Sequence, residues 1–198
     1  MAIGDGELTS PKIIILNGVG SVGKSSAAKA LQAITASPFM HVQGDAFLEM
    51  LPASMYGHPD GIMFTRDKGS DPPSIAIETG VVMHSLMRGM RRSVRALAEE
   101  GNNLIVDDVM LGAPDQAFYQ EALRGLNVSF VGLFAPLSVL EQRERDRGDR
   151  LIGLARWQFE RVHQGVTYDL EIDTSQLSSA DCATRIAETF GLETETAR

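Results

Sequence analysis

The feature that most constrains this chain is an apolar run at residues 13–16, which turns at once into a glycine-rich segment and then into a helical pattern. Gly18, four further residues and then Gly23, Lys24 and Ser25 fit the spacing G-x4-G-K-[ST]. Glycines let the backbone turn several N–H groups toward one point at the start of a helix, where phosphate oxygens are readily held. The segment therefore predicts a phosphate-binding loop between a buried strand and a helix.

The polar side chains of this loop predict its ligand. Lys24 supplies a mobile cation for the β and γ phosphates and is expected to act in catalysis, while the Ser25 hydroxyl is placed to bind Mg²⁺. We expect a purine nucleoside triphosphate with Mg²⁺, taken here as ATP, although the residues leave adenine and guanine both open. A glycine-rich turn without a ligand is the alternative. The expected nucleotide-binding residues are Gly18, Val19, Gly20, Ser21, Val22, Gly23, Lys24, Ser25 and Ser26.

Composition limits the class of protein. A chain of 198 residues with 43% hydrophobic and 22% charged residues fits one globular domain with a substantial core. The net charge of -8 argues against general nucleic-acid binding, which depends on clustered Lys and Arg. The single cysteine, Cys182, precludes an internal disulfide framework, and no apolar run approaches membrane-spanning length. These features predict a cytoplasmic protein that binds neither nucleic acid nor a membrane.

Apolar strand patterns alternate with helical patterns along most of the chain. This alternation predicts a doubly wound, five-stranded parallel sheet in a three-layer α/β fold. We expect a single domain over residues 12–191, between a flexible N-terminal tail at residues 1–11 and a C-terminal tail at residues 192–198. The predicted strands cover residues 13–16, 40–43, 103–108, 128–133 and 170–173.

Residues 52–100 depart from this alternation. Residues 52–73 are rich in Gly, Pro and Asp and too long for a plain connection, so they form either an acceptor-binding lid or a flexible loop. Apolar residues at steps of three and four predict a helix over residues 74–100, although Gly80 and Gly89 weaken the pattern. We expect this whole region to be an insert that binds the acceptor.

Carboxylates end two of the predicted strands. Asp107 and Asp108 close a buried strand, which is typical of a Walker B pattern. One of them is expected to serve Mg²⁺ opposite Ser25, while the other faces the acceptor or a helix N-terminus. Asp45 follows the second strand, at the sheet edge where ligands bind in α/β folds, and is our candidate to orient an acceptor hydroxyl and take its proton. The alternative is that these carboxylates only cap turns and helices.

Arginines at helical spacing predict a lid. Arg143, Arg147 and Arg150 step at four and three residues along a predicted helix that breaks at Gly148. Arginines on a mobile segment can close over a phosphoryl group in transit and stabilise its charge, so we expect residues 143–153 to form a catalytic lid. The alternative is a solvated helix. A second stripe is either a solvated face or a subunit contact in a homo-oligomer, and consists of Arg88, Arg91, Arg92 and Arg95.

Taken together, these motifs resemble the chloramphenicol phosphotransferase family. The resemblance rests on the phosphate loop, Gly44-Asp45, the strand end at Asp107, the arginine segment and, most distinctively, the stretch Val162-His163-x-Gly165-Val-x-Tyr168-Asp169. It implies a nucleoside-kinase-like P-loop fold, transfer of the ATP γ-phosphate to the antibiotic's primary hydroxyl, Asp45 as the catalytic base and the arginine segment as the lid. Residues 52–100 depart from the family pattern, so phosphoryl transfer is better supported than chloramphenicol as its target.

The leading interpretation is a kinase that phosphorylates a hydroxyl of a small molecule, plausibly an antibiotic. A metabolic nucleoside or sugar kinase on the same scaffold is the second reading. A nucleotide-dependent switch that binds a protein partner is the third, but the chain carries no Asn-Lys-x-Asp element for guanine specificity. The predicted arginine lid also supplies within the chain what a switch usually receives from an activator.

Overall fold

A computed structural model describes residues 10–67, 69, 74–148 and 151–195. Seven strands and seven α-helices lie in this part of the chain, with one 3₁₀ turn at Ala53–Met55. The strands are β1 (Lys12–Asn17), β2 (Phe39–Gln43), β3 (Ile62–Asp67), β4 (Ser74–Thr79), β5 (Asn103–Asp108), β6 (Asn127–Phe134) and β7 (Leu170–Asp173). The helices are α1 (Lys24–Ile34), α2 (Gly44–Leu48), α3 (Val81–Glu99), α4 (Ala113–Ala122), α5 (Leu137–Arg147), α6 (Leu154–Phe159) and α7 (Ser179–Thr189).

Five strands form one parallel sheet in the order β2-β5-β1-β6-β7, as the alternation of strands and helices predicts. The central strand β1 leads directly into the glycine-rich loop. Its end pairs with the end of β5, with Leu16 opposite Asp107 and Asn17 opposite Asp108, and Gln43 of β2 also lies opposite Asp107. The register therefore brings the phosphate loop, both carboxylates and the start of α2 to the same edge of the sheet.

Helices cover both faces of the sheet, so the fold has three layers. On one face Ile14 and Leu16 join a buried cluster with α1 and α7. On the other face Ile13 and Ile15 join a second cluster that includes Met90 of α3 and Tyr119 of α4. Successive residues of β1 thus point into different buried clusters. Because both faces of the strand are buried, its sequence is an unbroken apolar run.

The predicted helix over residues 74–100 is wrong at its beginning. Residues Ser74–Thr79 form strand β4, which pairs with β3 in an antiparallel hairpin separate from the main sheet, and α3 begins only at Val81. Gly80 lies between the two elements, where an added β-carbon would come within 2.1 Å of Pro59 O. The segment 62–67, predicted as irregular, is the partner strand β3. Pairing between β3 and β4 determines the structure of these residues. The spacing of apolar residues along one segment does not show this pairing.

Only part of each predicted tail lies within the described residues. Residues 1–9 lie outside the described residues. At the other end the backbone attaches to the end of α1, because Ala36 N donates to Glu193 O at 2.8 Å and Glu195 N donates to Ile34 O at 2.8 Å. In the described part of the chain, no helix combines the length and the apolar character needed to cross a membrane.

Candidate active site

The phosphate loop is shaped by two glycines and held closed by its lysine. An added β-carbon on Gly18 would lie 2.6 Å from Leu133 O, and Gly23 has a φ of 104°, so neither position accommodates another side chain without strain. Lys24 is the first residue of α1 and is 7% exposed. Its Nζ donates to Gly18 O at 2.9 Å and to Val19 O at 3.3 Å, so the ammonium group lies inside the concave side of the loop.

Asp107 lies directly against the loop. Its Oδ2 accepts a hydrogen bond from Ser25 Oγ at 2.5 Å, and its Oδ1 lies 3.9 Å from Lys24 Nζ. His41 Nε2 lies 3.6 Å from Asp107 Oδ2 and has no hydrogen-bond partner within the described part of the chain. Burial alone would raise the pKa of Asp107, but His41, Lys24 and the Ser25 hydroxyl together outweigh that effect and lower it. The carboxylate is therefore ionised at neutral pH.

Asp108 points away from the loop and into a different set of contacts. Its Oδ2 accepts from Tyr119 Oη at 3.0 Å and lies 3.5 Å from Arg91 Nη2, while its Oδ1 accepts from Val109 N at 2.8 Å. Arg91 also pairs with Asp115 at 2.7 Å, in the first turn of α4. Burial by itself would lower the pKa of Arg91, but the two carboxylates outweigh it and keep the guanidinium charged. Asp108 thus joins β5 to α3 and α4.

Asp45 lies in the first turn of the short helix α2. The preceding residue, Gly44, is buried against the end of β5, where an added β-carbon would come within 3.3 Å of Asp107 O and 3.4 Å of Asp108 Oδ1. This close approach sets Asp45 at the carboxyl edge of the sheet. The Asp45 side chain is exposed and lines the same cavity as Lys24 and Asp107.

The three predicted lid arginines have different positions. Arg143 is half-buried and binds the protein itself, donating to Thr174 O at 2.8 Å, to Thr174 Oγ1 at 3.1 Å and to Val22 O at 3.4 Å. Arg147 is exposed at the end of α5 and lines the cavity. Arg150 lies outside the described residues. The helix ends where the sequence predicts, because Gly148 takes the left-handed conformation with a φ of 68°.

One cavity of about 1040 Å³ joins the phosphate loop to the predicted acceptor region. That volume is large enough for a nucleotide and a small second molecule together. The end away from the loop is covered by one face of the β3–β4 hairpin and by α3. Its apolar lining includes Ile62, Phe64, Ile77, Met83 and Met87.

Sequence reasoning missed several residues that organise this site. Gln158 of α6 accepts a hydrogen bond from Gly20 N in the loop, and Glu144 of α5 holds the start of α6. His41 lies beside Asp107. The contacts of Gln158 with Gly20 and of His41 with Asp107 join segments far apart in the chain, so no local spacing could reveal them. His163 did carry a signal through the distinctive motif, and its Nδ1 lies 2.6 Å from Tyr168 Oη behind the loop.

Comparison with known proteins agrees with this geometry. A family model described as chloramphenicol phosphotransferase-like protein matches residues 11–191. Two curated proteins from two strains of Mycobacterium tuberculosis, both named "Putative O-phosphotransferase", are 30% identical to this chain over 189 residues, covering 90% of the chain and 82% of their own length.

Solved structures show the same fold at low identity. The tunicamycin resistance protein of Deinococcus radiodurans superposes with a TM-score of 0.63 at 21% identity, covering 94% of this chain and 99% of that protein. The APS kinase of Mycobacterium tuberculosis, solved with AMPPNP and APS, superposes with a TM-score of 0.63 at 16% identity, covering 92% of this chain and 98% of that protein. These similarities confirm the predicted three-layer P-loop fold.

Proposed function

The chain belongs to the chloramphenicol phosphotransferase-like family and is a kinase-type phosphotransferase, and we propose that it moves the γ-phosphate of ATP to a hydroxyl of a small molecule, with an antibiotic such as chloramphenicol as acceptor. The observation that carries this proposal is a single cavity lined at one end by Lys24 and Asp107 and, beside them, by Asp45. The cavity therefore offers a phosphate site and a carboxylate for an acceptor hydroxyl in one space.

Each residue has a distinct role in the proposed transfer. Lys24 binds the β and γ phosphates, and Asp45 orients the acceptor hydroxyl and takes its proton. The hydroxyl oxygen forms a new bond to the γ-phosphorus while the bond from that phosphorus to the ADP oxygen breaks, so ADP leaves with the bridging oxygen. Arg147 and the neighbouring lid neutralise charge on the phosphoryl group in transit.

Ser25 and Asp107 fit a magnesium ion. Both offer oxygen donors, which hard divalent cations prefer, and their oxygens are held 2.5 Å apart beside the phosphate loop. When bound there, Mg²⁺ would supply positive charge that neutralises the phosphate oxygens. We assign Asp107, and not Asp108, to this role, because the oxygens of Asp108 are engaged by Tyr119, Val109 and Arg91.

The apolar end of the cavity favours an aromatic or apolar acceptor over a sugar. Phe64 and Ile77 are a cross-strand pair on the hairpin, and they face the cavity together with Met83 and Met87 of α3. A sugar, with a hydroxyl on nearly every carbon, would lose hydration against these side chains. We propose that residues 52–100, and the hairpin in particular, are the acceptor-binding insert.

A screen tests the proposed activity. The purified protein with ATP and Mg²⁺ is incubated with chloramphenicol, other hydroxylated antibiotics, nucleosides and sugars, and products are detected by a mass gain of one phosphoryl group. We expect phosphorylation of an apolar, hydroxylated antibiotic. Exclusive phosphorylation of a nucleoside or a sugar would overturn the acceptor class, and ATP hydrolysis stimulated by a protein partner alone would overturn the kinase assignment.

The variant Asp45→Asn distinguishes a kinase from a protein that only binds a nucleotide. The substitution keeps the size of the side chain but removes its charge and its ability to take a proton, so ATP affinity by calorimetry should be nearly unchanged. Phosphorylation of the acceptor should fall by about 10² or more, even at saturating acceptor. Glu49→Gln, an exposed carboxylate just after the same helix, serves as the control and should keep the parental rate. If Asp45→Asn keeps that rate as well, Asp45 takes no part in the transfer and only lies in the first turn of α2.

A further inference from the structure

Gln158 makes a contact that joins helix α6 to the phosphate loop. It lies in α6, beyond the predicted arginine lid, and is 6% exposed. Its Oε1 accepts a hydrogen bond from Gly20 N at 2.7 Å, and an added β-carbon on Gly20 would lie 3.1 Å from the same oxygen. The loop backbone and the Gln158 amide are thus closely fitted to each other.

This hydrogen bond fixes which way the amide faces. A backbone N–H donates only to an acceptor, so the oxygen of Gln158 must face Gly20 and its NH₂ group must face elsewhere. No described residue accepts a hydrogen bond from Nε2, and Nε2 is not among the fully enclosed polar atoms that lack a partner. Gln158 lines the cavity together with Lys24 and Arg147. Its NH₂ donors are therefore available to a group inside that cavity.

The position of Gln158 is also held firmly from both ends of α6. At the start of the helix, the buried carboxylate of Glu144 accepts from Gly153 N and Ala155 N, each at 2.7 Å. Just after the helix, Val162 O accepts from Asn17 Nδ2 at 3.0 Å, which joins this segment to the end of β1. A donor held by such contacts is preorganised, and little conformational entropy is lost when it binds a ligand.

We propose that Gln158 contacts the γ-phosphate of bound ATP, with its Nε2 as the donor and Gly20 N–H as the group that orients the amide. This inference rests on the proposed function, in that ATP is the bound nucleotide. The loop N–H groups at the start of α1 are suited to hold the inner phosphates, and Gly20 precedes them in the loop and contacts Gln158 of α6. The amide is neutral and exchanges no proton, so it stabilises the oxygens of the phosphoryl group without altering the balance of the transfer.

Binding measurements with two nucleotides test this contact without requiring any acceptor. Calorimetry is carried out with Mg²⁺ and either ADP or a non-hydrolysable ATP analogue, on the parental protein and on Gln158→Met, which keeps the volume and removes the donors. We expect the affinity for the ATP analogue to fall about tenfold or more, because a hydrogen bond to a charged group is lost, while the affinity for ADP changes less than about twofold.

Two further variants complete the test. Gln158→Glu keeps an oxygen to accept from Gly20 N–H, loses the donors and adds a negative charge, so it should also lose affinity for the ATP analogue selectively if the side chain faces the γ-phosphate. It covers the case in which Gln158→Met fails to fold. Gln164→Met, an exposed glutamine soon after α6, should leave both affinities unchanged. Equal losses of affinity for ADP and for the ATP analogue would show that Gln158 only stabilises the loop. Unchanged affinities for both nucleotides would exclude a contact with the γ-phosphate. Failure of the parental protein to bind the ATP analogue would instead overturn the proposed function.

Discussion

A single proton on His163 would break a hydrogen-bond network behind the phosphate loop. Tyr168 Oη accepts from Asn17 Nδ2 at 2.7 Å and lies 2.6 Å from His163 Nδ1, which accepts from the hydroxyl when it carries no proton, while the imidazole stacks on Phe134 with ring centroids 3.9 Å apart. Burial, together with the nearby charge of Lys24, lowers the pKa of His163 to about 4. Burial likewise raises the pKa of Tyr168 to about 12, so both groups are neutral across the physiological range.

The lowered pKa of His163 predicts how stability depends on pH. His163 binds a proton near pH 6.5 in the unfolded chain but only near pH 4 in the folded chain. The stabilisation that neutral His163 gives to the folded state is therefore fully present above pH 6.5 and is lost as the pH falls toward 4. His163→Asn keeps an acceptor for Tyr168 but does not titrate. The difference in unfolding free energy between the parental protein and this variant should shrink by about 1–2 kcal/mol between pH 7 and pH 4, measured by urea unfolding, because solvent screens the charge of the half-buried His163 and reduces the effect of the full pKa shift. Parallel curves for the two proteins would contradict the assigned protonation.

The sequence alone could not show which of Asp107 and Asp108 faces the phosphate loop. Adjacent strand residues face opposite sides of a sheet, but the sequence does not say which side receives which helix. In the structure Ile105 packs in the cluster with α1, so Asp107, two residues on, faces Ser25. Val106 packs in the other cluster, and Asp108 accordingly faces α3 and α4. The alternation of side chains along β5, together with the packing of the helices, therefore shows which way each carboxylate faces.

At the scale of elements, the strands of the parallel sheet could be predicted because each is a short, buried apolar run between turn signals. The hairpin could not. In Ser74–Thr79 the apolar residues alternate over only six positions, and they run directly into the helical period of α3. Its partner strand, Ile62–Asp67, is largely exposed, so its own pattern is weak. Pairing between the two strands supplies the stabilisation that neither sequence signals alone.

The start of helix α6 is held by the buried carboxylate of Glu144, which predicts how this helix responds to substitution. In Glu144→Gln one carboxylate oxygen becomes an NH₂ group that faces the Gly153 or Ala155 N–H and cannot accept from it. The lost bond to a charged group should destabilise this segment locally by about 1–3 kcal/mol. Amide hydrogen exchange over residues 153–159 should accelerate, whereas exchange in β1 and β5 should not. Glu160→Gln, at an exposed position just after α6, is the matched control. Unchanged protection in Glu144→Gln would show that the helix is held by other contacts.

At the scale of the whole molecule, two elements that line the cavity, the β3–β4 hairpin and α6, are in contact with each other. Ile75 N of the hairpin donates to Gly153 O at 3.1 Å, and Gly153 is the residue that Glu144 holds at the start of α6. The hairpin and the segment at the start of α6 are therefore joined by a hydrogen bond, although nearly eighty residues separate Ile75 from Gly153 in sequence. The motifs of the phosphate loop give no hint of this contact, because it depends on how residues 52–100 fold back over the sheet.

The hairpin should consequently set acceptor affinity without affecting the nucleotide. Phe64 lies on the cavity face of β3, opposite Ile77, and Thr65 is the next residue along the strand, exposed and absent from the cavity lining. Phe64→Ala removes the largest apolar side chain of the hairpin that an acceptor can contact, which should raise the acceptor KM about tenfold to a hundredfold while the affinity for ATP stays within about twofold. Thr65→Ala tests the same strand on its other face and should leave both constants unchanged. Steady-state kinetics with the acceptor identified by the mass-gain screen, paired with calorimetry for ATP, separate the two effects. A fall in kcat alone, with the acceptor KM unchanged, would mean that the hairpin acts by holding the lid and not by contacting the acceptor.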